Sequence, residues 1–390
     1  MDPFSDGSEL KESFNYSNSK SFTILPKKKW IITLIILLVL ILIAEGLVFL
    51  SFILTPKSDS NDVDDIKISG IDCIYTISEL NTSILSPEFE NKNNTVIEIY
   101  VNGTKINYTK EYSFPSKGKY RIKYILNDEL YLDNMFKNID SVQSIELKNS
   151  SNSTIKILSM KSTFEGCKNL EKVLFIESFD TSNLKSISKL FYNSGIKELN
   201  MNKFDTKNVE DMSYMFSHCE SLTSLILDNF STQNAINMSY MFSDLYNLTN
   251  IPINNLDTKN VKSMDFMFYN DYLVQKLNTS NFNTENVQTM KGMFYNCHNL
   301  KEVYPQAFDT KKVTDFDFMF KNCKSIRELN LTSFYTVNCS NFIEMFDGCP
   351  RMTILILEKI DNFENLLEVM LDSDVNIRFM PQLDYYDDDF

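Results

Sequence analysis

The chain has 390 residues, 43% apolar and 23% charged, which is a globular composition. Its net charge of −14 argues against a nucleic-acid partner, which would need a basic face. Only two histidines, His218 and His298, are present to build a metal site or a His-based catalytic pair. Nine glycines in the whole chain argue against phosphate-cradling loops, so no cofactor and no enzyme activity are expected.

Residues 1–29 are rich in Ser, Asn and Lys without apolar periodicity, and read as a disordered cytoplasmic tail. Residues 30–54, WIITLIILLVLILIAEGLVFLSFIL, carry one charge, Glu45. As a helix they would rise ~37 Å, enough to cross a hydrocarbon core of ~30 Å and to take the lipid bilayer as partner. Lys27, Lys28 and Lys29 precede the segment, and Asp59, Asp62, Asp64 and Asp65 come after it. The positive-inside rule then predicts a signal anchor in the plasma membrane, single-pass, with the N-terminus cytoplasmic and the rest extracellular. A cleaved signal peptide is the rival reading, disfavoured by the long leader, the long apolar stretch and the lack of an A-x-A-like site.

Residues 55–126 read as a linker and a small membrane-proximal β cap. Val96 to Val101 alternates, Asn102-Gly103 is a hairpin signal, and Lys119 to Ile125 alternates again. Ile71 to Ile77 is a further strand candidate. Such a cap would close the first coil of a repeat domain.

From residue 127 to 378 one phrase recurs. Its fullest copy is FDTKNVEDMSYMFSHCESLTSLILDNF, residues 204–230. The Phe of the Met-Phe pair returns as Phe136, Phe164, Phe191, Phe216, Phe242, Phe268, Phe294, Phe320 and Phe346, the last five steps being 26 residues each. A period of about 20–29 residues carrying L-x-x-L-x-L marks a leucine-rich-repeat solenoid. The expected fold class is therefore α/β. Segments such as Leu225-Ile226-Leu227 would build a parallel sheet on one face. Val209, Met212, Met215 and Phe216, at i, i+3, i+6 and i+7, would form short helical turns on the other, with the preceding Asp-Thr as N-cap. Residues after Phe346 read as a decayed terminal copy, and 379–390 as an acidic tail.

A solenoid stacks each repeat position into a column. The Phe and Met columns read as core. Cys167, Cys219, Cys297, Cys323 and Cys349 share a column three residues after Phe, while Cys73 and Cys339 stand outside it. Without CxxC or His in that column, zinc is not expected. Buried free thiols are preferred over a disulfide between neighbouring coils. The Asp-Thr column reads as capping rather than calcium ligation.

Residues between the Leu positions should point outward. Ser224, Ile226, Lys276, Asn278, Glu302, Tyr304, Glu328 and Asn330 form the candidate ligand face, of the extended kind that solenoids offer. Tyr304, Glu328 and Asn330 fall on adjacent coils and are expected within reach of one ligand. N-x-S/T sequons occur at Asn81, Asn93, Asn102, Asn107, Asn149, Asn152, Asn229, Asn237, Asn247, Asn278, Asn330 and Asn338.

The phrases FDTKNVEDMSYMFSHCESLTSLIL, NTENVQTMKGMFYNCHNLKEV and DTKKVTDFDFMFKNCKSIRELNL resemble the repeat of the BspA-like leucine-rich-repeat surface proteins over residues 130–370. The resemblance implies a non-enzymatic surface protein linked to adhesion, with an extracellular protein or glycan as partner. The alternative is a surface or lumenal scaffold acting by self-association.

Overall fold

The computed structural model describes residues 70–148, 154–175, 179–339, 341–357, 364–373 and 375–380. Strands β1 (Gly70–Ile77), β2 (Asn81–Ser83), β3 (Val96–Val101), β4 (Thr104–Ile106), β5 (Glu111–Ser113) and β6 (Gly118–Leu126) precede the repeats. Through the repeats run β7 (Glu129–Tyr131), β8 (Val142–Lys148), β9 (Lys156–Ser159), β10 (Lys172–Phe175), β11 (Glu198–Asn200), β12 (Ser224–Ile226), β13 (Lys276–Leu277), β14 (Glu302–Val303), β15 (Glu328–Asn330) and β16 (Thr353–Leu357). Helix α1 (Glu364–Asp372) and strand β17 (Asn376–Met380) complete the order.

The region before the repeats is welded to the solenoid rather than resting on it. The β3–β4 hairpin turns at Asn102 and Gly103, both with φ above zero (47° and 81°), the conformation an Asn-Gly turn supplies. β1 pairs antiparallel with β6 on one side and with β8 on the other, and β8 then pairs parallel with β10. One eight-stranded sheet, in the order β12-β11-β10-β8-β1-β6-β3-β4, thus runs from the cap into the coils. The hydroxyls of Tyr75 and Tyr124 both donate to the carbonyl of Ile84 at 2.7 Å, fixing the loop after β2.

The expected α/β repeat with helical turns is corrected by the backbone. The coils form a β-solenoid, and α1 is the one α-helix among the described residues. In the Met-Phe segment, Tyr214 and His218 both have φ near 57°, the left-handed region, which no α-helix accommodates every fourth residue. The amides divide into two sets. Met212, Tyr214, Phe216 and His218 donate to Asn237, Ser239, Met241 and Ser243 of the next coil at 2.9–3.1 Å. Met215, Ser217 and Cys219 donate three residues back, to Met212, Tyr214 and Phe216. Every second amide closes a tight turn and every other one ties two coils together. Apolar residues at i and i+3 are therefore consecutive turns facing one core.

That core is a stack of columns. All nine Phe of the Met-Phe pair are at most 1% exposed. Their rings stack from Phe136 to Phe346 with centroids 5.2–6.3 Å apart. Met212, Met215, Leu222 and Leu225 of the central coil, with their equivalents, pack around them. At the far end β16 pairs parallel with β15 and β17, and Leu366 and Met370 of α1 are buried.

The expected placement in a plasma membrane is also corrected. Among the described residues no helix is long and apolar enough to cross a membrane. The expected transmembrane helix at 30–54 lies outside the described residues, as do the expected cytoplasmic tail and sequons Asn149 and Asn152.

Candidate functional site

Strand alternation sets which residues reach solvent. In β12, Leu225 points into the core while Ser224 and Ile226 are exposed. In β13, Leu277 is buried and Lys276 exposed, and β15 repeats this with Leu329 inward and Glu328 outward. Parallel register stacks like on like: Glu198 beside Ser224, Lys276 beside Glu302, Glu328 beside Thr353.

The face is interrupted twice. Pro252 takes the place of Ile226 in the coil between β12 and β13, and no ladder forms there, although Ile251 still points inward. Pro305 comes after β14, at the position where Leu331 donates its amide to Leu355 of the next coil at 2.9 Å. Proline has no amide hydrogen to give, and the ladder stops again before β15. The eight candidate residues therefore fall into three separate patches.

The middle patch is knit together. Lys276 Nζ lies 2.6 Å from Glu302, and the Tyr304 hydroxyl donates to the same carboxylate at 3.2 Å. Lys276 Nζ also stands 5.8 Å from the centroid of the Tyr304 ring. The hydrogen bond from Lys276 holds the Glu302 carboxyl below its ordinary range, and the same bond raises Lys276. Tyr304 itself is half-buried and precedes a 3-10 turn, Pro305–Ala307. Asn278 and Asn330 have local work: each Oδ1 accepts from the amide and hydroxyl two residues on, Ser280 and Thr332.

The sequons fall on varied ground. Asn81, Asn93, Asn102, Asn107 and Asn229 are exposed. Asn247 Nδ2 donates to Glu220 O, and Asn338 Nδ2 to Lys311 O, both at 2.7 Å, so the nitrogen a glycan would take already holds the neighbouring coil. Asn237 Oδ1 accepts from the Ser239 amide at 3.0 Å.

Two ladders were not foreseen from the repeat pattern. The Thr of Asp-Thr is buried and bridges coils: Thr232 Oγ1 donates to Asp257 O at 2.8 Å and accepts from the Asp257 amide at 2.7 Å. Its equivalents Thr206, Thr258, Thr284 and Thr310 donate in the same way. The Asp beside it caps a turn rather than a helix, as when Asp205 Oδ1 accepts from the Lys207 amide at 3.1 Å. The second ladder runs through the left-handed position two residues after Phe. There Asn270 donates to Asp244, Asn296 to Asn270 and Asn322 to Asn296, at 2.7–2.8 Å. Asn or Gly occupies this position in every described coil except at His218 and Asp244, and that preference for positive φ was the available signal.

All seven cysteines are free and buried. Each column thiol donates to the carbonyl of the Phe one coil back, as Cys219 does to Phe191 at 3.0 Å and Cys323 to Phe294 at 3.1 Å. Burial pushes the Cys219 and Cys349 thiols up to about 12, far from thiolate chemistry. Asp271 occupies this column in one coil. Its Oδ1 accepts from the Leu245 amide at 3.0 Å, while Oδ2 is buried without a partner, and burial holds the carboxyl well above its ordinary range.

These features define a repeat β-solenoid with stacked, mostly apolar columns inside and polar residues at outward strand positions and surface turns. The chain belongs to the family described as Mycoplasma protein of unknown function, DUF285, which matches over residues 130–248, 193–303 and 272–366, together more than half of its length. No curated protein and no solved structure matches it.

Proposed function

We propose that the solenoid is a non-enzymatic recognition or adhesion module of the BspA-like leucine-rich-repeat kind, binding a protein or glycan through its outward strand face. One observation carries this reading: the inward columns and both ladders are taken up in packing or coil-to-coil bonds, whereas the side chains of Lys276 and Glu302 are exposed on the strand face and meet each other and the Tyr304 hydroxyl there. It offers a cation, an anion and an aromatic edge in one patch, a set suited to polar recognition. The test compares binding of the full chain to whole cells and matrix with that of a Lys276→Ser, Glu302→Ser, Tyr304→Ser variant. Lost binding with unchanged thermal stability supports the reading, and undiminished binding removes this patch as the site.

Self-association is the second reading. It is favoured by the C-terminal end, where β17 pairs only with β16 among the described residues, and Leu371 and Phe379 are 70% and 50% exposed. An unpaired strand edge beside apolar side chains is a template for a second chain. Concentration-dependent mass by light scattering, abolished by Leu371→Lys and Phe379→Lys, would favour this scaffold over the recognition module.

A further inference from the structure

The turn after β1 and strand β2 (residues 78–83) stand opposite the first coil (residues 138–143), and a cavity of about 520 Å³ opens between them. Small-molecule sites have volumes of about 300–1,000 Å³, but most are predominantly apolar. Here only Ile139 among twelve lining residues is hydrophobic, and the rest are hydroxyls, amides and the carboxylates of Glu79 and Asp140. We infer that this cavity is a binding site for a neutral sugar, separate from the strand face and independent of the function proposed for that face.

Elimination narrows the ligand class first. No Lys, Arg or His lines the cavity, and two carboxylates do, so phosphate, sulfate and acidic sugars are repelled. The apolar surface here comes largely from the methyl and methylene groups of polar residues, so it alternates with polar atoms instead of forming one hydrophobic wall. Among the described residues no group of three or more His, Cys, Asp and Glu stands together, so Glu79 and Asp140 have no third such side chain with which to hold a metal ion.

The polar atoms that remain point the same way. Asn81 Oδ1 is taken by the Ser113 hydroxyl at 2.6 Å, leaving its Nδ2 as a donor. Asn169 Nδ2 is taken by Asp140 O at 2.9 Å, leaving its Oδ1 as an acceptor. Asp140 Oδ1 accepts from the Lys168 amide at 3.2 Å, leaving Oδ2. The Gln143 amide adds a donor and an acceptor. A sugar ring matches such a surface, because each of its hydroxyls both donates and accepts and it carries no charge.

Saturation-transfer NMR on the full chain tests the assignment with glucose, galactose, mannose and N-acetylglucosamine up to ~10 mM, a range that reveals millimolar affinity. Sialic acid and choline serve as anionic and cationic controls. At least one neutral sugar should show transfer, the controls none, and Gln143→Ala should weaken binding by about tenfold. Ser78→Trp, at an exposed position beside the opening, should abolish it by filling the space. Glycan-array binding then separates a free monosaccharide from the end of a glycan chain, since only the latter gives array signal. Silence from all four sugars overturns the inference. So does transfer indifferent to both substitutions while the melting temperature is unchanged, or choline binding as well as the best sugar.

Discussion

On the turn face, pairing between coils runs without a break from Ser186 through Asp211, Asn237, Ser263, Thr289 and Asp315 to Asn341. On the strand face the ladder stops at the coil of Pro252 and again after Pro305. The turn face holds because each Met-Phe segment sends alternate amides to its neighbour, beside the buried Thr hydroxyls and the stacked Phe rings. The strand face tolerates interruption because Ile251 and Leu277 remain inward and buried whether or not a ladder surrounds them. The solenoid is thus held without interruption along its turns, while the strand face keeps its inward Leu and Ile in the core through breaks in the ladder.

The largest expected effect lies in the ring stack. Phe294→Ala removes a fully buried ring between Phe268 and Phe320 and should cost ~3–5 kcal/mol. Chemical denaturation with limited proteolysis would place the first cuts in the coils beside it. Stability near that of the parent would mean the stack is not what holds the turn face.

A smaller effect, still on the turn face, is expected from Thr232→Val. The shape is kept, but the amide and carbonyl of Asp257 lose the hydroxyl that served both, at about 1–3 kcal/mol. Urea midpoints for this variant against Thr223→Val, whose exposed side chain bonds one carbonyl at 3.2 Å, measure the two faces directly. Equal losses would erase the distinction between them.

Asp271 gives a dependence on pH. Its folded-state carboxyl titrates above its unfolded value of ~3.9, so folding favours the protonated form. That stabilisation is complete below the unfolded pKa and is lost as pH rises through the folded one. Asp271→Cys restores the column residue and should flatten this slope, with a gain of about 1 kcal/mol at neutral pH from removing an orphaned oxygen. Denaturation midpoints of parent and variant across the acid-to-neutral range would show it as a gap that widens toward neutral pH, and a gap that stays constant with pH would contradict it.

The smallest effect is expected on the strand face. Lys276→Ser with Glu302→Ser breaks an exposed ion pair and should shift stability within about ±0.5 kcal/mol, less in high salt. A loss of several kcal/mol in thermal denaturation would show that this face is structural after all.

Much of this was legible in the residues. The 26-residue period placed Phe, Met, Leu and Cys in columns, because side chains that must leave water recur wherever the chain returns to the same core. The outward character of Ser224, Lys276 and Glu328 came from strand alternation. What misled was the spacing of Met212, Met215 and Phe216, which a helix and a run of tight turns share; Asn and Gly two residues after Phe carried the distinction. The cavity beside the cap was not legible, since Asn81 and Asp140 come together only when β1 pairs with β8.

The sequence by itself determined the repeat, the identity of the core columns and which strand positions face outward, because these depend on the order of polar and apolar residues along the chain. Only the tertiary structure decided that half of each coil is turns rather than helix, that Thr and Asn form ladders, and that the strand face is cut into patches. Those outcomes depend on where each amide finds its acceptor. For Phe216 the partner is Met241, 25 residues further on, and no local pattern announces a bond to a neighbour that only stacking brings within 3.1 Å.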